Sequence, residues 1–334
     1  MRLVNLLALT DATLVNNPFV SSFNNIVFEA KALKRGDLFI AFDEDSIEDA
    51  ILNGAYGIMF DKPTQISDRE IAWIKVENLD KALAKLLRFR LIDKEVRVYK
   101  TDEVTLKLAL QISTESSFMA LSGDTRSLGD KLWHIEPKTT LLFSPTLCNE
   151  AIFSDVEEIS NKSNKEEIEI VDQTLFETSF IFDDIYYERE LISPLFIPSL
   201  ETLLNLYKEL DINYRIKKFT QIDNFEAHFI NKNFKVKDFG TTERVIIFEK
   251  NSTFFDLEYN FLEQHAKWLN VIYLLESSNI EKYQDRQNLY FYSNTHQLTR
   301  FLKENSFHFA LIVGRDREIL SILETSQEQL TLEF

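Results

Sequence analysis

The chain has 334 residues, of which 45% are hydrophobic, so it is long enough for two or three domains with their own cores, and a single small module is excluded. Its formal net charge of −17, from 37 basic and 54 acidic residues, excludes general nucleic-acid binding because most of the surface repels a polyanion. The single cysteine, Cys148, excludes an internal disulfide framework and favours a buried, inert thiol over a nucleophile.

Targeting signals are absent from the sequence pattern. No segment approaches the roughly 20 apolar residues that a membrane-spanning helix needs. The N-terminal stretch is apolar, but Asp11 interrupts it too early for a signal peptide. We therefore expect a cytoplasmic protein without a membrane span.

Residues 1–95 have the pattern of a compact α/β domain. Short apolar runs predict strands, and apolar residues recur at helical spacing between them. Ser46 is the expected N-cap of the first helix and Gly54 its C-terminal stop. The alternation indicates a βαβ-type domain. We expect strands at 37–42, 57–60 and 72–76, and helices at 46–54 and 78–90.

The middle region, 96–222, is smaller than the usual core of a nucleotide-binding enzyme. Asp183 and Asp184 are the expected turn of a hairpin, in preference to a general acid and base. Ser199, after Pro198, is the expected N-cap of the last helix in this region. We expect strands at 96–99, 118–121 and 140–143, a helix at 104–112, a solvated loop or helix end at 160–167, a β-hairpin at 176–187 and a helix at 199–210.

Residues 223–334 again alternate between strand and helix patterns. Elements of these lengths in this order predict a mostly parallel sheet with right-handed crossovers. We therefore expect a Rossmann-like third domain. Its predicted strands are 244–248, 271–275, 289–292 and 309–313, and its predicted helices are 254–268 and 295–304.

The run from Glu29 to Phe42 carries the most specific family signal. It resembles the N-terminal domain of the Mur ligases, and among them most closely the UDP-MurNAc-tripeptide D-alanyl-D-alanine ligases. That family has an Asp-Ser-Arg triplet before a Pro-Gly-Asp-Leu-Phe strand opening. Here Glu29-Ala30-Lys31 replaces the triplet and Arg35 replaces the proline, while residues 36–39 are unchanged. The family's Asp-Gly-His loop is absent, and the short segment 43–46 stands in its place.

Later segments follow the same family in order. Residues 196–213 resemble the helix that closes its central domain, 244–251 the strand that opens its C-terminal domain, and 294–319 its last helix, strand and turn. The resemblance implies an α/β, three-domain Mur-ligase-like architecture. Its domains are an N-terminal α/β domain at 1–95, a reduced central domain at 96–222 and a Rossmann-like C-terminal domain at 223–334.

The Mur ligases transfer the γ-phosphate of ATP to a carboxylate, which an amine then attacks. This chemistry uses a glycine-rich loop whose backbone N–H groups surround the phosphates, together with a lysine and a hydroxyl on magnesium. At that position the chain reads Val98 to Lys107 without a glycine, and Glu103 falls where the family has its lysine. We therefore expect no ATP or Mg²⁺ there and no catalytic residues.

A second segment superficially resembles a phosphate loop. After the strand at 118–121, Gly123 and Gly129 are followed by Lys131, but five residues separate the glycines instead of four and the lysine is one place late. The segment also contains two aspartates, so an ordinary polar turn before residues 131–133 is the preferred interpretation. In the alternative, Gly123, Gly129 and Lys131 bind ATP.

Four residues are candidate substrate contacts through the resemblance alone. Lys31 and Asp37 would be inherited nucleotide-sugar contacts, and Arg315 and Arg317 lie where the family turns toward its active site. The structural alternatives are a solvated lysine, a turn aspartate and two surface charges. The five histidines are scattered without metal-ligand spacing, so no metal site is expected.

These observations together predict a non-catalytic Mur-ligase-like protein of peptidoglycan metabolism. It would act by binding, as a scaffold or as a regulator, with other cell-wall synthesis or cell-shape proteins as partners and with UDP-MurNAc-peptide as a further possible ligand. The alternative is an active ATP-dependent amide ligase with a displaced phosphate loop. A third hypothesis is a generic α/β interaction protein.

Overall fold

The computed structural model describes residues 1–159, 167–283 and 285–331. The polar stretch expected as a loop or helix end at 160–167 lies outside the described residues except for Glu167. Two compact units are present, one formed by Met1–Lys162 with Thr202–Ile216 and the other by Ser163–Glu201 with Lys217–Phe334. The three domain boundaries predicted from the sequence stay predictions.

The first unit begins with a five-stranded sheet in the order β1-β5-β4-β3-β2. Strands β2 to β5 are parallel, and β1 pairs antiparallel with β5. The predicted apolar runs form its central strands because both faces of a parallel sheet are buried. The elements are α1 (Leu3–Thr10), β1 (Thr13–Leu14), β2 (Ile26–Val27), β3 (Leu38–Ile40), α2 (Asp45–Leu52), β4 (Gly57–Phe60), β5 (Ala72–Lys75) and α3 (Leu79–Asp93).

The helix ends of this sheet match the sequence only in part. Gly54 has the positive φ of +88° expected after a helix, so its role as a stop is confirmed. Ser46 is not the N-cap, because α2 already begins at Asp45. The carboxylate of Asp43 instead accepts a hydrogen bond from Ser46 N at 3.1 Å and satisfies the start of the helix.

A second sheet of four parallel strands follows, in the order β10-β6-β9-β8. It shares one continuous apolar core with the first sheet, since Leu83 and Leu87 of α3 lie in the same buried cluster as Leu128 and Leu132. Its elements are β6 (Arg97–Lys100), α4 (Glu103–Ala109), β7 (Ser113–Thr114), β8 (Phe118–Gly123), α5 (Thr125–Trp133), β9 (Thr140–Cys148) and β10 (Val156–Glu158).

One prediction for this region was wrong. The segment interpreted as a polar turn before residue 131 is helix α5. Its glycine pattern suggested a loop, but Asp124 caps the helix, with its carboxylate accepting a hydrogen bond from Ser127 N at 2.8 Å. Leu128, Leu132 and Trp133 then bury the inner face of the helix.

The second unit begins with an antiparallel sheet in the order β11-β12-β13. Its strands are β11 (Glu169–Gln173), β12 (Thr178–Phe182) and β13 (Ile185–Glu190). The predicted hairpin is confirmed, because Asp183 and Asp184 connect β12 to β13 with positive φ values of 49° and 60°. Two consecutive left-handed residues are the conformation of a type I′ turn.

Helix α6 (Ile197–Glu209) begins before the expected Ser199. A short 3-10 turn, Pro194–Phe196, leads directly into it, and the hydroxyl of Ser193 caps that turn by accepting from Leu195 N at 3.3 Å. Ser199 is therefore inside the helix and is not its N-cap. After α6, strand β14 (Tyr214–Arg215) pairs antiparallel with β7.

The second unit ends with a five-stranded sheet in the order β15-β16-β19-β17-β18. All of its strands are parallel except the edge strand β15, so the expected Rossmann-like topology is confirmed. The elements are β15 (Glu226–Ile230), β16 (Arg244–Glu249), α7 (Phe255–His265), β17 (Val271–Glu276), α8 (Ile280–Tyr283), β18 (Leu289–Tyr292), α9 (Thr295–Glu304), β19 (Phe309–Val313) and α10 (Glu318–Thr331).

Candidate functional site

The connection from β6 to α4 is the first candidate site, because a strand-to-helix link of this kind carries phosphate loops. Only Thr101 and Asp102 separate the two elements. The Asp102 carboxylate accepts a hydrogen bond from Thr105 N at 2.9 Å and another from the Thr105 hydroxyl at 2.5 Å. A protein carboxylate therefore already takes the amide and the hydroxyl that a bound anion would use at this helix start.

The nearest lysine on α4 is also engaged. Lys107 Nζ lies 2.5 Å from Glu103 Oε1, one helical turn away, and only 13% and 10% of the two side chains are exposed. A partly buried ion pair of this kind leaves little net positive charge for a ligand phosphate. The start of α4 thus carries the negative charge of Asp102, while the opposite charges of Glu103 and Lys107 cancel each other.

The segment from Gly123 to Lys131 forms no loop. Gly123 ends β8 with φ +136°, Asp124 is the N-cap, and the remaining residues belong to α5. The hydrogen bond from Ser127 is the main cause that lowers the pKa of Asp124. Gly129 is a buried helical residue at which an added Cβ would lie 2.8 Å from the Phe28 ring. Lys131 is exposed in the second half of the helix.

Both helix starts lie at the carboxyl edge of the β10-β6-β9-β8 sheet, because all four strands are parallel. Lys100, at the end of β6, pairs with Glu158 at the end of β10 across 2.7 Å. Asp102 and Asp124 occupy the two helix starts. This edge therefore carries anionic side chains at the positions where a ligand phosphate would bind.

Lys31 and Asp37 both lie in the connection between β2 and β3 of the N-terminal sheet, Lys31 in its first half and Asp37 at its end. Lys31 is exposed in a 3-10 turn, Ala30–Ala32, that follows β2. Asp37 directly precedes β3, is 5% exposed, and accepts a hydrogen bond from Lys34 N at 3.0 Å. The Asp37 carboxylate therefore stabilises the turn, while the Lys31 ammonium faces solvent.

Arg315 and Arg317 follow the end of β19 in the second unit. The Arg315 guanidinium pairs with Glu276 Oε1 at 3.3 Å and lies 5.7 Å from the centre of the Tyr292 ring. Arg317 is exposed at the beginning of α10. The carboxyl ends of β17, β18 and β19 thus place Glu276, Tyr292 and Arg315 together, whereas Arg317 stands apart.

Solved structures similar to the whole chain include two of MurF. The structure of MurF from Acinetobacter baumannii has a TM-score of 0.56 and 9% sequence identity, and the match spans 96% of this chain and 98% of that chain. The structure of MurF ligase from Thermotoga maritima in complex with ADP has a TM-score of 0.50 and 11% identity, spanning 92% and 98%. The chain has a Mur-ligase-like fold. The resemblance stated from residues 29–42 and the α/β architecture are thereby confirmed.

Comparisons of the sequence with protein families and curated proteins found no relative. No protein-family model matches the chain, and no curated protein sequence matches it. At 9% to 11% identity the solved structures establish the fold alone.

A Mur-ligase-like fold implies ATP and Mg²⁺ at the link between the first strand and first helix of the middle domain. The β6–α4 link does not fit them. No glycine lies between Gly57 and Gly123, so no loop of bare backbone amides is available to surround phosphates. The Thr105 hydroxyl at this helix start donates to the Asp102 carboxylate.

A buried pair of carboxyl groups in the second unit was missed by the sequence interpretation. Glu249 at the end of β16 and Glu258 in α7 are both 0% exposed. Asn224 Nδ2 donates to both oxygens of Glu249, at 3.1 and 3.2 Å, and the Phe225 and Asn251 amides donate at 3.2 and 2.7 Å. Burial raises the pKa of both groups, and the adjacent Glu249 charge raises that of Glu258 further.

A signal for this pair exists in the sequence. On α7 the buried residues are Phe255, Glu258, Phe261 and Leu262, so Glu258 falls on the apolar face of the helix at helical spacing. A glutamate on a buried face requires a partner or a proton.

The remaining candidates have structural roles. Cys148 is 6% exposed, so the expected burial of its thiol is confirmed, and this burial raises the pKa of the thiol to about 11. Asp183 and Asp184 form a turn. Across residues 1–159, 167–283 and 285–331, no three His, Cys, Asp or Glu side chains are grouped to hold a metal ion. In those same ranges no helix has the length and apolarity that crossing a membrane requires.

Proposed function

We propose that this chain is a non-catalytic Mur-ligase-like protein of peptidoglycan metabolism that works in the cytoplasm by binding, as a scaffold or a regulator. Two observations support the proposal. The fold is similar to that of MurF ligases, and the β6–α4 link replaces a phosphate loop with an aspartate-capped helix start. The second observation carries the non-catalytic part.

The physical argument is electrostatic. A phosphate bound at the start of α4 would displace the Asp102 carboxylate from Thr105 N or lie beside it. Two unit negative charges 4 Å apart repel by about 4 kcal/mol at the effective dielectric constant of a protein surface. A phosphate carries more than one charge, and no loop amide compensates for the repulsion here.

We propose other cell-wall synthesis or cell-shape proteins as partners, with UDP-MurNAc-peptide as a ligand that the fold retains. Lys31 in the first unit and Arg317 in the second are exposed cations, and each is a separate candidate contact for the ligand's phosphates or carboxylates. Arg315 is a half-buried candidate that already pairs with Glu276. Asp37 takes part by holding the turn that follows Lys31. The net charge of −17 opposes a nucleic-acid partner.

Thermal unfolding with Mg-ATP and Mg-ADP tests the proposal. A ligand that binds only the folded state raises the free energy of unfolding by about 4 kcal/mol when its concentration is a thousand times its Kd, which is the case for micromolar affinity at millimolar ligand. We expect an unchanged midpoint at millimolar nucleotide, whereas MurF ligase from Thermotoga maritima, whose structure is a complex with ADP, should shift upward in the same buffer. A shift of several degrees in this chain contradicts the proposal.

Two further measurements complete the test. If nucleotide binds, Lys131→Ala and Lys107→Ala identify the site, and loss of binding in Lys131→Ala alone would place the nucleotide at the segment from Gly123 to Lys131 and support the alternative of an active ligase. Affinity capture from the native cell tests the partners. Enrichment of wall-synthesis proteins supports the proposed role, and their absence counts against it.

A further inference from the structure

The second unit contains a cavity of about 590 Å³ that none of the predicted sites includes. We call it the aromatic cleft and define it by the rings of Phe176, Phe229, Phe239 and Phe309 and the carboxylates of Glu177 and Glu243. A volume of this size is within the range of small-molecule sites.

Four phenylalanine rings form the apolar wall of the aromatic cleft. The centre of the Phe176 ring lies 5.9 Å from that of Phe309, 6.0 Å from that of Phe229 and 6.3 Å from that of Phe239. Phe229 and Phe239 are 4.7 Å apart. Phe176, Phe229 and Phe309 are each 9% exposed, whereas Phe239 is 37% exposed at the mouth. The rings therefore fix one another in a packed cluster with an open side.

The charged groups of the lining favour a cation. Glu177 pairs with Arg189 at 2.9 Å, so these two opposite charges offset each other. Glu243 is exposed, and no basic side chain of the described residues pairs with it. The lining thus carries two carboxylates against one guanidinium.

His308 adds no positive charge to the aromatic cleft. Its Nδ1 accepts a hydrogen bond from Asn270 N at 3.0 Å, which an imidazolium nitrogen cannot do. The electron-rich faces of aromatic rings attract cations as well, and the chain as a whole has a net charge of −17.

The location also separates the aromatic cleft from the residues discussed so far. Val245 and Phe309 lie at the amino ends of β16 and β19, and Leu269 precedes β17. Arg315, Glu276 and Tyr292 lie at the opposite, carboxyl edge of the same sheet. Ligands of Rossmann-like sheets bind at the carboxyl edge, so the aromatic cleft is a different kind of site.

We propose that the aromatic cleft binds an organic cation with an apolar, ring-containing body, such as an arylalkylamine. The four rings enclose the apolar body, and the exposed carboxylate of Glu243 holds the ammonium group. This inference goes beyond the proposed function and does not depend on it, because no residue of the β6–α4 link lines the cavity.

Three probes with the same ring and different charge test the proposal: tryptamine, indole and indole-3-acetate. Titration calorimetry on the full chain should give an order of affinity of tryptamine, then indole, then indole-3-acetate. The cation should bind about tenfold more tightly than the neutral ring, as expected for a partly desolvated cation beside aromatic faces and a carboxylate.

Two variants locate the binding. Glu243→Gln should reduce the preference for tryptamine over indole to about twofold and leave indole binding unchanged, because only the charge is lost. Phe239→Ala should weaken both probes, since it removes part of the ring wall. Leu257→Ala, at a residue that is 49% exposed on α7, is the matched control and should change neither. The unfolding midpoint of each variant checks that it is folded.

Several results would overturn the proposal. They are no binding of tryptamine, equal affinity for the three probes, tighter binding of indole-3-acetate, or tryptamine binding that is unaffected by both Glu243→Gln and Phe239→Ala in folded protein.

Discussion

The Glu258 carboxyl is buried against Glu249, and its environment has a direct consequence for the pH dependence of stability. Glu249 receives four hydrogen bonds from Asn224, Phe225 and Asn251, so it is the member of the pair that is equipped to carry a negative charge. Glu258 is then held in its protonated form, because two adjacent buried carboxylates repel. The pair is thus stable with one shared negative charge.

We predict that this pair makes the second unit less stable as the pH rises. The pKa of Glu258 is raised well above 4.5 in the folded chain, so the folded state binds more protons than the unfolded state above that pH. The contribution is fully present below the unfolded pKa and is lost as the pH rises through the folded pKa. Urea unfolding of wild type and Glu258→Gln at pH 6 and pH 9 measures it.

The variant provides its own control for other titrating groups. Glutamine has the shape of the protonated glutamate and does not ionise, so the difference in unfolding free energy between the two proteins reports on the coupled Glu249–Glu258 pair and removes the contribution of the other titrating groups. Wild type should lose stability relative to Glu258→Gln between the two pH values. A difference that stays constant with pH would show that Glu258 does not titrate as described.

Among the elements, helix α4 depends on its cap. Replacing Asp102 by alanine removes the acceptor for Thr105 N and should lower the free energy of unfolding by about 1 kcal/mol. Asp102→Asn is the matched control, because asparagine is an equally good N-cap, and it should retain most of that stability. If the alanine variant is as stable as wild type, the carboxylate is not a structural cap and the site has to be reconsidered.

The elements that the sequence predicted best have sharp boundaries. Gly57–Phe60, Leu289–Tyr292, Thr295–Glu304 and Phe309–Val313 have the predicted ends, because apolar runs there stop at polar or turn-forming residues. The N-caps at Ser46 and Ser199 were wrong, since Asp43 and a 3-10 turn provide the helix starts instead. Serine is a good cap, but position alone does not decide which neighbouring acceptor reaches the first amides.

Other elements gave weak or misleading patterns. Helix α5 was missed because glycine suggested a loop, although Gly129 is required by the close approach of the Phe28 ring. Strand β15 was missed although polar Glu226 and His228 alternate with apolar residues, which is the pattern of a half-buried edge strand. The error at α5 has a different origin, which is a tertiary contact that short-range periodicity does not contain.

The architecture of the chain was predictable and its ligand chemistry was not. The order of strands and helices, with the motif around Gly36 to Phe39, was sufficient for a Mur-ligase-like fold, which two MurF structures confirm. The candidate contacts Lys31, Asp37, Arg315 and Arg317 were predicted from the positions they share with the family. In the structure Asp37 stabilises a turn and Arg315 forms an ion pair. The Glu249–Glu258 pair and the aromatic cleft required three-dimensional proximity between segments that are distant in sequence.

The central claim is that the middle region has no place for a triphosphate, and crystals soaked with Mg²⁺ and a non-hydrolysable ATP analogue test it most directly. The account predicts that the Asp102 carboxylate still accepts from Thr105 N and that no nucleotide density appears at the start of α4 or α5. Continuous triphosphate density at either helix start, with Asp102 or Asp124 displaced, would contradict it.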